Sequence, residues 1–438
     1  MYWQLGECSG PNGHHRATRP FRCPAETRNH GQPYDTNHRP IRLDTTTHLY
    51  AVGQGVRLSG GFRQSAMVMT LCGSGSAMKI VVAFYRVRET ELLRYFRMKQ
   101  HATRVRTTYS SRALTQALTR YREPNNVRSV SELVITAGPL ALLWLLTWAA
   151  LDAGYWSGLL LTVPAAGFLV RLFMIQHDCG HGSFFRRRLA NNWLGRVIGV
   201  LTLTPYDCWR RAHALHHAGS GNLDRRGTGD IDTLTVREFL ALPKGRRLLY
   251  RLYRHPIVMF GVGPSYLFII RHRLPMGLTC GGWQPWLSAM ATNVAIAVLS
   301  TTMVWLVGVG PFLLVQLPIT LLAASIGIWL FYVQHQFEDT FWAHDEGWNF
   351  HEAGLRGSSN YDLPIVLRWF TANIGVHHVH HLCSRIPYYR LPQALRDHPQ
   401  LAAVGRLTLV ESLRCVRKVL WDEDRHKLIS FREMASAR

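Results

Sequence analysis

Three short stretches of this chain concentrate imidazole. HDCGH carries His177 and His181, HALHH carries His213, His216 and His217, and VHHVHHLC carries His377, His380 and His381 with His378 between them. On a helix, positions i, i+3 and i+4 share a face, so each stretch can present its imidazoles to a common point. A lone histidine, His335, opens HQFEDTFW. These nine imidazoles exceed the roughly four protein ligands of one tetrahedral zinc and suit two metals of about four or five ligands each. Imidazole accommodates iron, zinc, copper or nickel, so ligand type alone does not name the metal. The ligands bind as neutral rings, so acid is expected to strip the metal.

His378 breaks the spacing of its stretch and is read as a neighbour of the ligands or a surface group. Asp178, Asp230, Asp232, Glu338 and Asp339 either orient imidazoles through ring N–H bonds or serve local caps and turns. His255, His272, His344, His351 and His398 stand alone in the sequence and are read as solvated or interfacial.

The elements that must position these residues are apolar and long. No charge occurs from Leu133 to Leu151, Arg171 is the one charge from Ala153 to Gln176, and none follows Arg273 until Glu338. Four spans are expected, near 132–151, 154–176, 286–308 and 312–334, each long enough to cross a hydrocarbon core of about 30 Å. The segment 177–284 holds sixteen Lys and Arg, whereas the turns at Asp152 and Gly310 hold none. The positive-inside rule therefore puts that segment, both termini and all the histidine stretches on the cytoplasmic side. The expected fold is an all-α integral membrane bundle of four transmembrane helices under a cytoplasmic helical cap that carries the histidines. Placement beside a bilayer favours one chemistry, a buried pair of irons that activates O2 against an unreactive hydrocarbon chain.

The formal charge of +23 is read as attraction to anionic headgroups and control of topology. No nucleic-acid-binding module accompanies it. Eight cysteines are scattered without a CxxC pair, so neither a disulfide framework nor a zinc ribbon is expected. The stretches 193–206 and 246–273 mix apolar and aromatic residues with Arg, as helices lying on a membrane do. The stretch 407–421 repeats apolar residues at helical spacing and is expected to form a cytoplasmic helix. Residues 1–97 show neither a helical nor a strand period and are expected to be a disordered extension, or text upstream of a start at Met98, with 98–438 as the functional domain. No cleavable signal peptide is read at the start, so the spans are expected to direct insertion.

QHDCGHGSFF, RRAHALHHAGSGNLDRRGTGDIDTLT, HQFEDTFW, GSSNYDLP and GVHHVHHLCSRIPYYRLP together resemble the membrane-bound fatty acid desaturases over about residues 115–430. The resemblance implies two irons held by His177, His181, His213, His216, His217, His377, His380 and His381, with His335 as a further ligand. It implies insertion of a double bond into an acyl chain, with O2 as co-substrate and electrons from a separate ferredoxin or cytochrome b5. The HxxxH spacing of the first stretch is similar to the branch acting on acyl chains of membrane lipids. The expected location is the inner membrane of a bacterium. A related hydroxylase or ketolase of alkanes, sterols or carotenoids shares the cage and is the alternative, whereas a metal carrier would need ligands within the membrane thickness. Trp209, Tyr206 and Tyr332 are candidate walls of the acyl channel, and the Arg-rich cytoplasmic face is a candidate dock for an acidic donor.

Overall fold

The computed structural model describes residues 111–436 except 228 and 276–281, together with the backbone of 66–72 and 79–85. Residues 8–104 form a unit of their own, in which β1 (Ala66–Cys72) pairs antiparallel with β2 (Lys79–Tyr85). This hairpin departs from the expected extension without regular structure. KIVVAFY is rich in β-branched and aromatic β-formers, whereas AMVMTLC holds only Val68 and Thr70 of that kind. The rest of 1–97, and the start considered at Met98, lie outside the described residues.

The main unit is built on four helices long and apolar enough to cross a membrane, as expected. These are α1 (Asn126–Asp152), α2 (Thr162–His181, continuing a 3-10 segment Trp156–Leu161), then α5 (Gln284–Val307) and α6 (Val309–His335). Between the pairs lie α3 (Arg188–Leu201) and α4 (Tyr206–Gly219). Apolar side chains cannot hydrogen-bond, so within a bilayer the backbone must satisfy itself, and helices do so. α1 starts six residues ahead of the expected span because Asn125 caps it, its side chain accepting from Arg128 N. α2 and α6 run on past the expected ends to include His181 and His335. On α5 the apolar side chains face outward, Trp305 at 81 % exposure, as lipid contact requires.

α2 packs between α1 and α6. Its single arginine is matched across the pair: Arg171 Nη2 meets Glu132 Oε2 on α1, and Arg171 Nε donates to Thr136 Oγ1 at 3.1 Å. Arg171 also donates to the Trp369 carbonyl, its guanidinium lies 4.0 Å from the Trp369 ring centroid, and Tyr388 donates to Glu132 at 3.1 Å. Each nitrogen of this buried guanidinium therefore has a partner.

On α3, Leu189, Trp193, Val197 and Leu201 are exposed at every fourth position, one apolar stripe turned outward. The 246–273 stretch breaks into Lys244–Tyr253, a π-helical Val258–Val262, Gly263–Ile269 and a 3-10 turn Arg271–Arg273, none long enough to cross.

The cap is mostly helical, with α7 (Ile365–Phe370) and α8 (His377–Leu382), and two small sheets. In one, β3 (Leu234–Thr235) runs parallel to β6 (Leu420–Asp422), which pairs antiparallel with β7 (Lys427–Ile429). In the other, β4 (Asn360–Asp362) runs parallel to β5 (Arg406–Thr408). The helix expected over 407–421 is confined to Leu409–Cys415. Beyond it, buried Arg254 takes the Lys418 carbonyl at 3.0 Å and Val419 N donates to Ile429 O at 2.9 Å, drawing the chain into β6. Long-range partners override local helical period here.

Candidate metal centre

Each histidine stretch ends or begins an element whose local chemistry fixes it. Gly182, at φ 67°, stops α2 one residue after His181, in the left-handed conformation that favours glycine. His335 is the last residue of α6. α8 follows a tight turn in which Ala372 and Asn373 take φ of 50° and 56°. A Cβ on Gly375 would stand 2.4 Å from the Tyr361 carbonyl oxygen, so only glycine lets the chain pass. The amides of His377 and His378 then both donate to Ser359 O, at 3.2 and 3.3 Å.

The nine imidazoles gather into two groups. His177, His181, His213, His217 and His380 form one, and His216, His335, His377 and His381 the other, with the candidate ligand atoms of each group within 4.8 Å of one another. Nε2 atoms approach in series: His181 to His213 at 3.0 Å, His213 to His217 at 3.1 Å, and His217 to His380 at 3.1 Å. In the second group His216 to His335 is 3.1 Å, His335 to His377 3.0 Å, and His377 to His381 3.1 Å. The rings of His217 and His381 stack at 4.1 Å where the groups meet.

The common point expected for each stretch is thus two points. At about 100° per residue, an i+4 side chain lies about 40° to one side of i and an i+3 side chain about 60° to the other. The i, i+4 pairs His213/His217 and His377/His381 stay together, whereas the i+3 members His216 and His380 each turn to the other group.

The donor set fits cations. His216 Nδ1 bonds the Asp230 carboxylate and His335 Nδ1 donates to Gly357 O at 3.1 Å, so both rings hold their proton on Nδ1. Their Nε2 atoms then face each other at 3.1 Å, a contact that a shared Lewis acid resolves. His177 Nε2 is buried with no hydrogen-bond partner, while its Nδ1 lies 3.3 Å from Asp178 Oδ1. Asp178 Oδ2 in turn accepts the Tyr388 amide at 2.7 Å. Burial, and after it neighbouring imidazoles, holds His213, His217, His377, His380 and His381 well below the usual histidine range, leaving them neutral and ready to bind metal.

Of the carboxylates considered, Asp178 and Asp230 touch imidazoles. Glu338 pairs with Lys418 and Lys427, Asp339 is exposed, and Asp232 offers its backbone carbonyl to Arg254. His378 is fully buried yet outside both groups, its Nε2 reaching Leu401 O at 3.0 Å. His344 is exposed as expected, between Asp224 and Glu423.

Trp209 stacks on His213, ring centroids 4.7 Å apart. Tyr206 and Tyr332 instead spend their hydroxyls as ties, to Cys179 O at 2.9 Å and to Cys415 O at 3.2 Å. Phe331, passed over in the sequence, lies 5.1 Å from His216 and 5.4 Å from His335. Its signal was available, since it precedes His335 by one helical turn.

The sequence profile of the fatty acid desaturase family matches residues 153–411. A fatty acid desaturase of Bacillus subtilis is 45% identical over 324 residues, covering 74% of this chain and 92% of the relative. An sn-1 acyl-lipid omega-3 desaturase (ferredoxin) of Synechocystis is 27% identical, covering 62% of this chain and 75% of the relative. An acyl-lipid omega-3 desaturase (cytochrome b5) of the endoplasmic reticulum of Arabidopsis thaliana is 26% identical, covering 62% and 70%.

Proposed function

The chain belongs to the fatty acid desaturase family, an oxidoreductase family, and on that premise we propose that it inserts a double bond into an acyl chain of a membrane lipid. O2 is the co-substrate and a separate ferredoxin or cytochrome b5 supplies electrons. The observation that carries this reading is the pair of imidazole groups, five and four, at the ends of α2 and α6. Nitrogen ligands of that number suit two irons. When bound, such a pair supplies the O2-dependent oxidation of unactivated methylenes. Two electrons and two protons accompany O2 as two hydrogens leave adjacent carbons, and the products are an alkene and two waters.

The protein's own residues do the positioning. His177, His181, His213, His217 and His380 hold one metal, and His216, His335, His377 and His381 the other. Asp178, Asp230 and the Gly357 carbonyl fix ring orientation through Nδ1. Trp209 and Phe331 lie against the imidazoles and keep water from the reacting carbons. Neighbouring methylenes are chemically alike, so placement of the chain against this wall selects the bond. The functional domain is 98–438, in the inner membrane of a bacterium with both termini cytoplasmic.

The test is mass spectrometry of total fatty acids from a bacterial host expressing the full chain with a ferredoxin and its reductase, beside a His380→Ala control. The expected result is a new unsaturated chain with the wild type and none with the control. A hydroxylated product would overturn the desaturase reading.

A further inference from the structure

Away from the histidines, a cleft of about 360 Å³ opens between β4, the turn ahead of α8, and the 392–406 segment. Three arginines, Arg368, Arg396 and Arg406, and one carboxylate, Asp362, line it, an excess of two positive charges. Asp362 engages Arg368 through Nη2 at 2.9 Å and Arg406 through Nε and Nη2 at 3.0 and 2.6 Å. A guanidinium carries five N–H donors, and Nη1 of both has no hydrogen-bond partner among the described residues. Arg396 is exposed and has no hydrogen-bond or ion-pair partner among the described residues. The nearest acid in sequence, Asp397, is occupied by Arg120 and Tyr121.

The cleft also adjoins a helix long and apolar enough to cross a membrane. Arg368 lies on α7, whose Phe370 packs edge-on to Phe168 of α2 with ring centroids 5.1 Å apart. Phe168 belongs to the segment Trp156–His181, which is long and apolar enough to cross a membrane. Ile365 and Val366 on the same helix are 82 % and 65 % exposed, which suits contact with acyl chains. The floor of the cleft reaches Val376, one residue before His377. An arginine-lined concavity at the edge of an apolar helix is the arrangement that takes a phosphate while the attached chains stay in lipid.

We propose that this cleft holds the phosphate of an anionic glycerolipid headgroup and so selects the lipid whose acyl chain is presented to the imidazole centre. The inference rests on the acyl-lipid reading above and names the substrate class within it.

The test is native mass spectrometry of the full chain in detergent with phosphatidylglycerol or phosphatidylcholine of identical acyl chains. Wild type is expected to retain phosphatidylglycerol preferentially, and Arg396→Glu to weaken that retention about tenfold, with a smaller loss for phosphatidylcholine, whose phosphate is balanced by its own choline. Arg396→Ala gives a smaller loss in the same direction, and Arg432→Glu, an equal change of charge outside the cleft, gives none. Displacement of the lipid by millimolar inorganic phosphate as readily as by glycerol phosphate would make this a free-anion site and overturn the proposal. So would a fall in ferredoxin-driven turnover in Arg396→Glu with lipid retention intact, which would make the cleft a donor dock. The two readings separate cleanly. New double bonds in the host with no headgroup preference would overturn the cleft and leave the desaturase. Headgroup retention with no double bond would overturn the role in substrate choice.

Discussion

Glu132 and Arg171 are as deeply buried as His377 and His381, all at 1 or 2 % exposure, yet their surroundings differ in kind. The carboxylate of Glu132 receives Arg171, Arg128 at 2.6 Å and the Tyr388 hydroxyl, and the other two guanidinium nitrogens of Arg171 reach Thr136 and Trp369. That cluster is complete within the protein. The imidazoles instead turn ring nitrogens on one another and leave His177 Nε2 without a partner. Buried polar atoms are normally satisfied, so an incomplete set marks a place where something else binds. Burial costs both clusters; the charge pair offsets it internally, and the imidazole groups need a cation.

Acid should separate the two most strongly. His213, His217, His377, His380 and His381 have folded values depressed by burial, against an unfolded value near ~6.5. As pH falls below ~6.5 the unfolded chain takes up protons that the folded centre refuses, so stability is present at neutral pH and lost on acidification. Each site contributes up to about 1.4 kcal/mol per pH unit in that window, and five act together. Metal-free protein is expected to melt markedly lower at pH 5.5 than at 7.5, with iron retention falling over the same range. Equal melting temperatures at the two pH values would break the contrast.

Removing half of the charge pair comes next. Glu132→Ala leaves Arg171 buried without its counter-charge, at an expected cost of about 3–5 kcal/mol. Glu132→Leu combined with Arg171→Met removes both charges and is expected to recover most of that loss, as hydrophobic replacement of buried pairs does. Thermal melts in detergent decide it: a double variant no better than the single one would mean that the pair does more than balance itself.

How far this contrast could be read in advance depends on the range of the interactions. The four spans and the three histidine stretches were legible because hydropathy and i, i+3, i+4 spacing are local. His335 was legible as one imidazole at the end of an apolar run. The division into five and four was not, since it turns on where the i+3 members His216 and His380 point once α4 and α8 face each other. The partner of Arg171 lies 39 positions away, and the burial of His378 depends on Leu401 in a later turn. Residues 416–422 leave the helical period because Arg254 and β7 claim their backbone.

A smaller effect probes the orienting carboxylates. Asp178 joins the regions, accepting the Tyr388 amide with one oxygen and facing His177 Nδ1 with the other. Asp178→Asn keeps the shape and replaces the carboxyl oxygen that faces His177 Nδ1 with an amide, which weakens the hold on the ligating tautomer. The expected loss is about 10–100-fold in metal affinity, measured as cobalt or iron retained against a chelator, with the melting temperature of the metal-free protein little changed. A large drop in that temperature with affinity intact would assign Asp178 to the structural cluster instead.

The smallest effect lies at an imidazole outside both clusters. His344 is exposed and sits between the Asp224 carboxylate, 2.7 Å from Nδ1, and Glu423, 3.4 Å from Nε2. Its bond to Asp224, then that to Glu423, raises its pKa above the usual histidine value, opposite to the buried five. The sign of its linkage is therefore reversed: its contribution is present below the ordinary value and is lost as pH rises through the raised one. Solvent screening keeps that contribution small. Asp224→Asn is expected to lower the His344 value toward the ordinary one, read from its ring protons by NMR titration, with no change in metal retention. The two directions belong to one residue type in one cap. A carboxylate partner sets the direction at the rim, whereas burial and then neighbouring imidazoles set it in the interior, so a His344 value unchanged by Asp224→Asn would show that exposure alone, without the carboxylate, accounts for the difference.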